Sequence, residues 1–238
     1  MVNQLTSDRL LPAYTWAVAE LNSPLQTKKS VDESVRLLDT LGLPHHCDRP
    51  KNWDNLIALA YAAMHVEVDG LILDAGAGDG SAFLPGLRRL GFRNLVGCNL
   101  DIRGQAYVDG IAYEYGNIES LRFAANSLSF IGCFSVIEHG VDIGKFLAES
   151  ARVLKPGGCL FISTDYWSMP VDAGNQMAFG APVRVFDAND ICHMINVAAP
   201  LGLRLTCGGL PDLSCNERVI EWLGMRYTFI SLLFRKSP

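Results

Sequence analysis

The chain has 238 residues, 49% of them hydrophobic, with a formal charge of −5 and a pI near 5.5. That length suits one domain with an appendage, and the apolar fraction is enough for a sizeable core. The acidic balance, in which Lys28-Lys29 and Arg88-Arg89 are isolated basic pairs, argues against a nucleic-acid substrate, whose phosphates need a basic face. The opening Met1-Val2-Asn3-Gln4-Leu5-Thr6 lacks the charged and apolar pattern of a signal peptide, and no apolar run is long enough to span a bilayer. The seven cysteines are scattered, and Cys98, Cys133 and Cys159 fall in predicted core strands, which reads as reduced thiols of a cytoplasmic protein.

Residues 1–69 read as a helical N-terminal extension. Val31, Val35, Leu38 and Leu41 form one helical stripe, and Trp53, Leu56, Ile57, Leu59, Ala60 and Ala63 form another within Asn52–His65. Between them runs Pro44-His45-His46-Cys47-Asp48-Arg49-Pro50, a polar loop bracketed by prolines. Its neighbouring His and Cys side chains cannot easily converge on one ion, and no second pair stands at zinc spacing, so no metal is expected. A surface loop or an acceptor gate is the better reading, with His46 as the contact residue. His65 and His193 fall on predicted helices and read as structural.

From Leu71 the pattern alternates strand and helix, the signature of a parallel α/β sheet. The predicted strands are 71–74, 94–99, 111–115, 129–136, 159–165, 203–207 and 227–234. Asp142 suits an N-cap for a helix buried through Ile143, Phe146, Leu147, Val153 and Leu154, which Pro156-Gly157-Gly158 then ends. Another helix starts near Asp187, and the last two strands read as a hairpin-like pair at one sheet edge. Only about ten residues separate Asn99 from Ile111, too few for a helical crossover. Gly104 and Gly110 suggest a loop or short turn there, leaving that edge less covered. The long segment of about 166–186, carrying Trp167, Met169, Met177 and Phe179 among glycines, reads as a lid over an acceptor pocket, or else as a core patch or dimer contact.

The stretch Leu71-Ile72-Leu73-Asp74-Ala75-Gly76-Ala77-Gly78-Asp79-Gly80 carries the chemistry. An apolar strand ends in a carboxylate, and glycines then allow a tight turn and a close approach of backbone to ligand. A dinucleotide fingerprint needs a third glycine at position 81, which is Ser81, and Asp74 would oppose a pyrophosphate. A cationic ligand suits that carboxylate better. The stretch resembles motif I of the class I S-adenosylmethionine-dependent methyltransferases, whose cofactor carries an ammonium and a sulfonium and no phosphate. The resemblance extends, in order, through Leu95-Val96-Gly97-Cys98-Asn99-Leu100-Asp101, Glu114-Tyr115-Gly116-Asn117-Ile118-Glu119-Ser120-Leu121, Phe130–His139 and Arg152-Val153-Leu154-Lys155-Pro156-Gly157-Gly158.

The resemblance implies a Rossmann-like, seven-stranded, mostly parallel sheet with an antiparallel last strand over residues 70–238, behind the N-terminal extension. It implies S-adenosylmethionine as cofactor, held by Asp74, Ala75, Gly76 and Gly78 at the methionine end. Asn99, Leu100 and Asp101 would meet the ribose, Asn117 and Ile118 the adenine, and Phe134 the strand exit beside it. Asn99 departs from the family's acidic residue, so either its amide suffices or Asp101 reaches in; Asn99 and Asn117 also suit plain turn positions. His139, after the fourth strand, is the leading general base for a hydroxyl acceptor, and Asp165 the next. His139 equally suits a role shaping the pocket. His46, Tyr166, Trp167 and Met169 are the expected acceptor contacts. The expected acceptor is a small molecule or glycan, with a homo-oligomer open. A non-catalytic binding subunit with this fold and a nicotinamide-dependent oxidoreductase are the rival readings.

Overall fold

The computed structural model describes residues 7–78, 80–206 and 211–238. The opening six residues, Asp79 of the glycine turn and Cys207 of the predicted sixth strand lie outside the described residues. Three helices come first, α1 (Ser7–Glu20), α2 (Lys28–Leu41) and α3 (Asn52–His65). The sheet begins with β1 (Ile72–Ala75), followed by α4 (Phe83–Arg89), β2 (Leu95–Asn99), β3 (Gln105–Val108), β4 (Ile111–Tyr115) and β5 (Leu128–Phe134). Then come α5 (Ile143–Val153), β6 (Leu154–Tyr166), a small hairpin of β7 (Met177–Ala178) and β8 (Ala181–Pro182), α6 (Ala188–Ala198), β9 (Leu203–Leu205), β10 (Ile220–Trp222) and β11 (Met225–Lys236).

The main sheet runs β10-β11-β6-β5-β1-β2-β4-β3, with β9 also paired to β11. Strands β4, β2, β1, β5 and β6 run parallel to one another, whereas β3 is antiparallel to β4 and β11 to β6. This is a Rossmann-like, mostly parallel sheet with an antiparallel last strand and N-terminal helices. Successive residues of β1 enter opposite cores. Ile72 joins a layer shared with α1, α2, α3 and α4, and Leu73 joins one shared with α5 and α6. Both faces are thus covered, as a parallel sheet requires. α5 is capped as expected, Asp142 Oδ1 accepting from the Lys145 N–H at 3.1 Å. α6 begins with a reciprocal capping box between Asp187 and Asp190.

Two local expectations need correction, and a third is met in a larger setting. The short link after β2 is a strand, not a loop: β3 pairs antiparallel with β4 through a turn at Asp109-Gly110, both at positive φ. α5 ends at Val153, before Pro156-Gly157-Gly158, which lie in β6 where its register against β5 shifts between Leu128 and Phe130. The last two predicted strands do pair antiparallel at one side of the sheet, as β9 and β11, with β10 coming between them in the chain. β11 lies inside the sheet, with β6 on one side and β9 and β10 on the other.

Candidate functional site

The strand order reverses at β1, which has β2 on one side and β5 on the other. Open α/β sheets bind ligands in the crevice beyond the carboxyl ends of strands at such a reversal. The glycine turn after β1 and the exit of β5 flank that crevice. The Gly76 and Ala77 N–H groups both donate to the Cys98 carbonyl, at 2.8 and 3.0 Å. Gly76 has φ +97°, and a Cβ there would lie 2.3 Å from a methyl of Val136, so a side chain is excluded twice over. At Gly78 a Cβ would meet nothing within 4 Å, which leaves that face of the turn open to a ligand. Ala75 is fully buried.

Asn99 ends β2 and clamps the turn. Its Nδ2 donates to the Gly76 carbonyl at 3.3 Å and the Ala77 carbonyl at 3.1 Å, and its Oδ1 accepts from the Asp101 N–H at 3.2 Å. Leu100 and Asp101 are exposed beside it. Asn117 Oδ1 accepts from the Glu119 N–H at 2.9 Å, an Asx turn, and Ile118 is buried. Of these residues Asn117 lines a cleft of about 390 Å³, together with Cys98, Glu114, Tyr115, Gly116 and the Ser120–Phe123 segment. A bidentate Arg122–Glu114 pair forms part of that lining. Phe134 packs between Phe83 and Phe161, with ring centroids 5.0 and 5.4 Å away.

A group of buried carboxylates stands at the same end of the sheet. Asp74 is 2% exposed and accepts from Ser81 Oγ at 2.9 Å; burial, reinforced by the charge of Asp54, pushes its pKa up to about 7. Asp54, on the first turn of α3, accepts from Ser163 Oγ at 2.6 Å, and burial raises its pKa as well. Glu138 accepts from Thr164 Oγ1 at 2.9 Å, and burial with the Asp165 charge pushes it up to about 8. Asp165 faces the Tyr227 hydroxyl and is pushed by burial up to about 6. Lys51 is the cation that opposes this field, lowering the pKa values of Asp54, Glu138 and Asp165, and its Nζ lies 4.9 Å from the Phe229 ring centroid.

His139 is half-buried beside this group. Its ring meets Phe179 edge-on at 4.9 Å and Trp222 at 6.2 Å, and its buried Nδ1 has no hydrogen-bond partner. Burial, then the Lys51 charge, lowers its pKa. Phe179 reaches it from the tip of the β7–β8 hairpin, whose turn residues Phe179 and Gly180 both have positive φ. Ser135, at the exit of β5, has φ +50° and a buried Oγ without a partner. Its N–H donates to the Ser163 carbonyl at 2.9 Å. Strained backbone and an orphaned hydroxyl are features that cluster at functional sites.

The expected acceptor contacts divide. The His46 N–H donates to Asn52 Oδ1 at 2.8 Å, and its Nδ1 accepts from the Asp48 N–H at 2.9 Å. The same loop rests on the glycine turn, since a Cβ at Gly80 would lie 2.6 Å from Cys47 Sγ. Trp167 stacks under Arg218 at 4.3 Å. Met169 is 66% exposed. Tyr166 is fully buried in the layer against α6, and its hydroxyl donates to the Leu213 carbonyl at 2.7 Å, on the face of the sheet away from His139. Among the described residues no three His, Cys, Asp or Glu side chains are arranged to hold a metal ion.

Sequence reasoning passed over Lys51, Asp54, Ser135, Glu138 and Tyr227. Glu138 adjoins His139 and was open to notice. Asp54 was hidden because α3 is buried on every side, so its carboxylate has no polar face to stand out from.

Residues 73–162 match the methyltransferase domain family. A ubiquinone biosynthesis O-methyltransferase from Chelativorans is 31% identical over 49% of this chain and 53% of its own length. A tRNA U34 carboxymethyltransferase from Campylobacter curvus is 30% identical over 49% of this chain and 42% of its own. This chain therefore spans about half the length of these curated relatives, or less. Among solved structures, a geranyl diphosphate C-methyltransferase from Streptomyces coelicolor superposes with a TM-score of 0.56 at 17% identity, over 82% of this chain and 86% of that one.

Proposed function

We propose, from this chain's membership in the class I S-adenosylmethionine-dependent methyltransferases, that it transfers a methyl group to a hydroxyl of a small-molecule or glycan acceptor. The observation that carries the reading is the group of buried carboxylates Asp54, Asp74, Glu138 and Asp165 behind a glycine turn with one open face. A site with that field suits a ligand carrying an ammonium and a sulfonium and repels a pyrophosphate. S-Adenosylmethionine supplies an activated methyl on its sulfonium. In this reading Asp74, Ala75, Gly76 and Gly78 hold its methionine end, Asn99 with Leu100 and Asp101 meets the ribose, and Asn117 and Ile118 meet the adenine.

On the acceptor side, His139 takes the hydroxyl proton, and Asp165 with Glu138 sets the field behind it. Its lowered pKa supports the role, because the imidazole is then neutral and able to accept a proton near pH 7. The N-terminal helices α1–α3 form a cap through the His46 loop, and the 166–186 segment forms the lid through Trp167, Met169 and Phe179. Tyr166 contributes packing rather than contact. A hydroxyl acceptor agrees with the activity for which the O-methyltransferase relative is named. The net charge of −5 favours a small acceptor over a nucleic acid, and we place the enzyme in the cytoplasm. No helix among the described residues is long and apolar enough to cross a membrane.

Calorimetry with S-adenosylmethionine, S-adenosylhomocysteine and NAD tests the cofactor. Saturable binding of the first two without the third is expected; tight NAD binding alone would overturn the reading. The ribose end has its own test. Asn99→Ala removes the clamp on the Gly76 and Ala77 carbonyls, so it should cost about 1–3 kcal/mol of cofactor binding. Asp101→Ala, which leaves the clamp intact, should cost less. The reverse order would move the ribose contact to Asp101.

A non-catalytic binding subunit is the second reading, favoured by Asn99 in place of the family's acidic residue. Turnover by the isolated protein separates the two.

A further inference from the structure

At the opposite end of the sheet lies a cleft of about 480 Å³ that the methyl-transfer reading does not use. Its lining includes Tyr14, Tyr61, His65, Arg204, Arg235 and Lys236. Arg204 and Arg235 are direct register partners in the antiparallel pairing of β9 with β11. Directly opposed residues project from the same face with Cβ atoms about 5 Å apart, and like charges there destabilise the pairing. Neither arginine forms an ion pair with a carboxylate, and neither does Lys236, among the described residues. Arg235 donates to the Tyr61 hydroxyl at 2.9 Å, and the Lys236 ammonium reaches Asn126 Oδ1 and the Leu154 carbonyl. Arg204 makes no side-chain hydrogen bond among the described residues. Ser237 and Pro238 also line the cleft, and no carboxylate stands within ion-pair distance of either arginine among the described residues, so an anion bound there would relieve the repulsion between the two opposed guanidinium groups.

The wall beside them is aromatic. The His65 ring stacks on Tyr61 at 4.3 Å and takes a hydrogen bond with the Tyr14 hydroxyl at 2.8 Å. His65 is itself exposed, so its outer face is available to a flat ring. Burial and the Arg235 charge both lower its pKa, which leaves the arginines to supply the positive charge.

We propose that this cleft is a phosphate-binding site, in which Arg204 and Arg235 together clasp the phosphate oxygens. Paired guanidinium forks match that geometry, and charge-assisted bonds of this kind are the strong ones. Free phosphate and a phosphorylated ligand whose flat ring lies against His65 share that chemistry; the probes distinguish the two.

The test is calorimetry on the full chain at constant ionic strength set with chloride, using inorganic phosphate and adenosine 5′-monophosphate as probes. Saturable binding of phosphate is expected, weakened about tenfold or more in Arg204→Gln. Arg204 is exposed and holds no other side chain, so this variant should fold normally; an unchanged melting temperature checks that. S-Adenosylmethionine affinity should be unaltered in the same variant, which separates this site from the cofactor crevice. Tighter binding of the nucleotide, reduced by His65→Ala, would identify a phosphorylated ring compound. Equal binding of both probes would identify phosphate alone. Absence of saturable binding by either, or binding that Arg204→Gln leaves intact, overturns the proposal.

Discussion

Asp74→Asn is expected to raise the melting temperature of the ligand-free protein at pH 8 by about 5 °C or more, and to weaken S-adenosylmethionine binding by about two orders of magnitude. Both effects follow from one group. The Asp74 carboxyl is pushed up to about 7 by burial, with Asp54 adding to the rise and Ser81 opposing it. A folded pKa above the unfolded one means that the folded state binds the proton more tightly. The associated stability is fully present below the unfolded pKa near 4 and is lost as pH rises through the folded value. For Asp74 that window runs from about pH 4 to about 7, and for Glu138 to about 8. A rise from 3.8 to about 7 corresponds to about 4 kcal/mol of penalty once the group is ionised. About 1 kcal/mol moves the melting temperature of a chain this size by about 2–4 °C. The asparagine removes the penalty and with it the charge that receives a cationic ligand.

The same reasoning gives a pH dependence. A cation bound beside these carboxylates favours their ionised forms, so binding releases protons below about pH 7. The thermal stabilisation by S-adenosylmethionine should grow between pH 6 and 8, and that by S-adenosylhomocysteine, which lacks the sulfonium, should grow less. Scanning fluorimetry across this range measures both. A stabilisation that stays flat with pH, together with an Asp74→Asn protein that melts and binds like wild type, would reject the electrostatic account.

His139→Gln is expected to lower turnover by about two to four orders of magnitude while cofactor affinity stays near wild type. The ring is held between Phe179 and Trp222, and its buried Nδ1 has no partner. Because the imidazole pKa is lowered, the acid limb of the turnover profile should fall below 6.5, the ordinary histidine value. Phe179→Ala should instead raise the acceptor's Michaelis constant, since that ring reaches the site from a hairpin tip. Full activity in His139→Gln would remove the histidine as base. Loss of that acid limb in Asp165→Asn would then pass the role to Asp165.

Much of this architecture could be read from residue order. The strand 111–115 and the helix 52–65 were predicted with the bounds they have, because a clear apolar pattern met clear ends. β3 escaped because all four of its residues are exposed, so no alternation marks it; only Asp109-Gly110, a good hairpin turn, hinted at it. β7 and β8 are two residues each, too short for any periodicity. In the candidate site, the glycine turn and His139 were legible as motifs. Asn99 was seen, but its hold on the Gly76 and Ala77 carbonyls was not, since a contact between the ends of two strands depends on register. The carboxylates from α3 and after β5 come together only once the chain is folded.

α3 is buried at every position from Asn52 to Ala62. An ordinary surface helix has a wet side, where substitutions cost little and the sequence is free to drift. α3 has none along that stretch. Enlarging Ala58, Ala60 or Ala62 overfills a packed layer, and trimming Leu56 or Ile57 leaves a hole. Asp54 and Asn55 cannot become apolar without stranding the groups that bond to them. The part of this chain with least room to vary is thus the helix that precedes β1, outside the glycine turn itself.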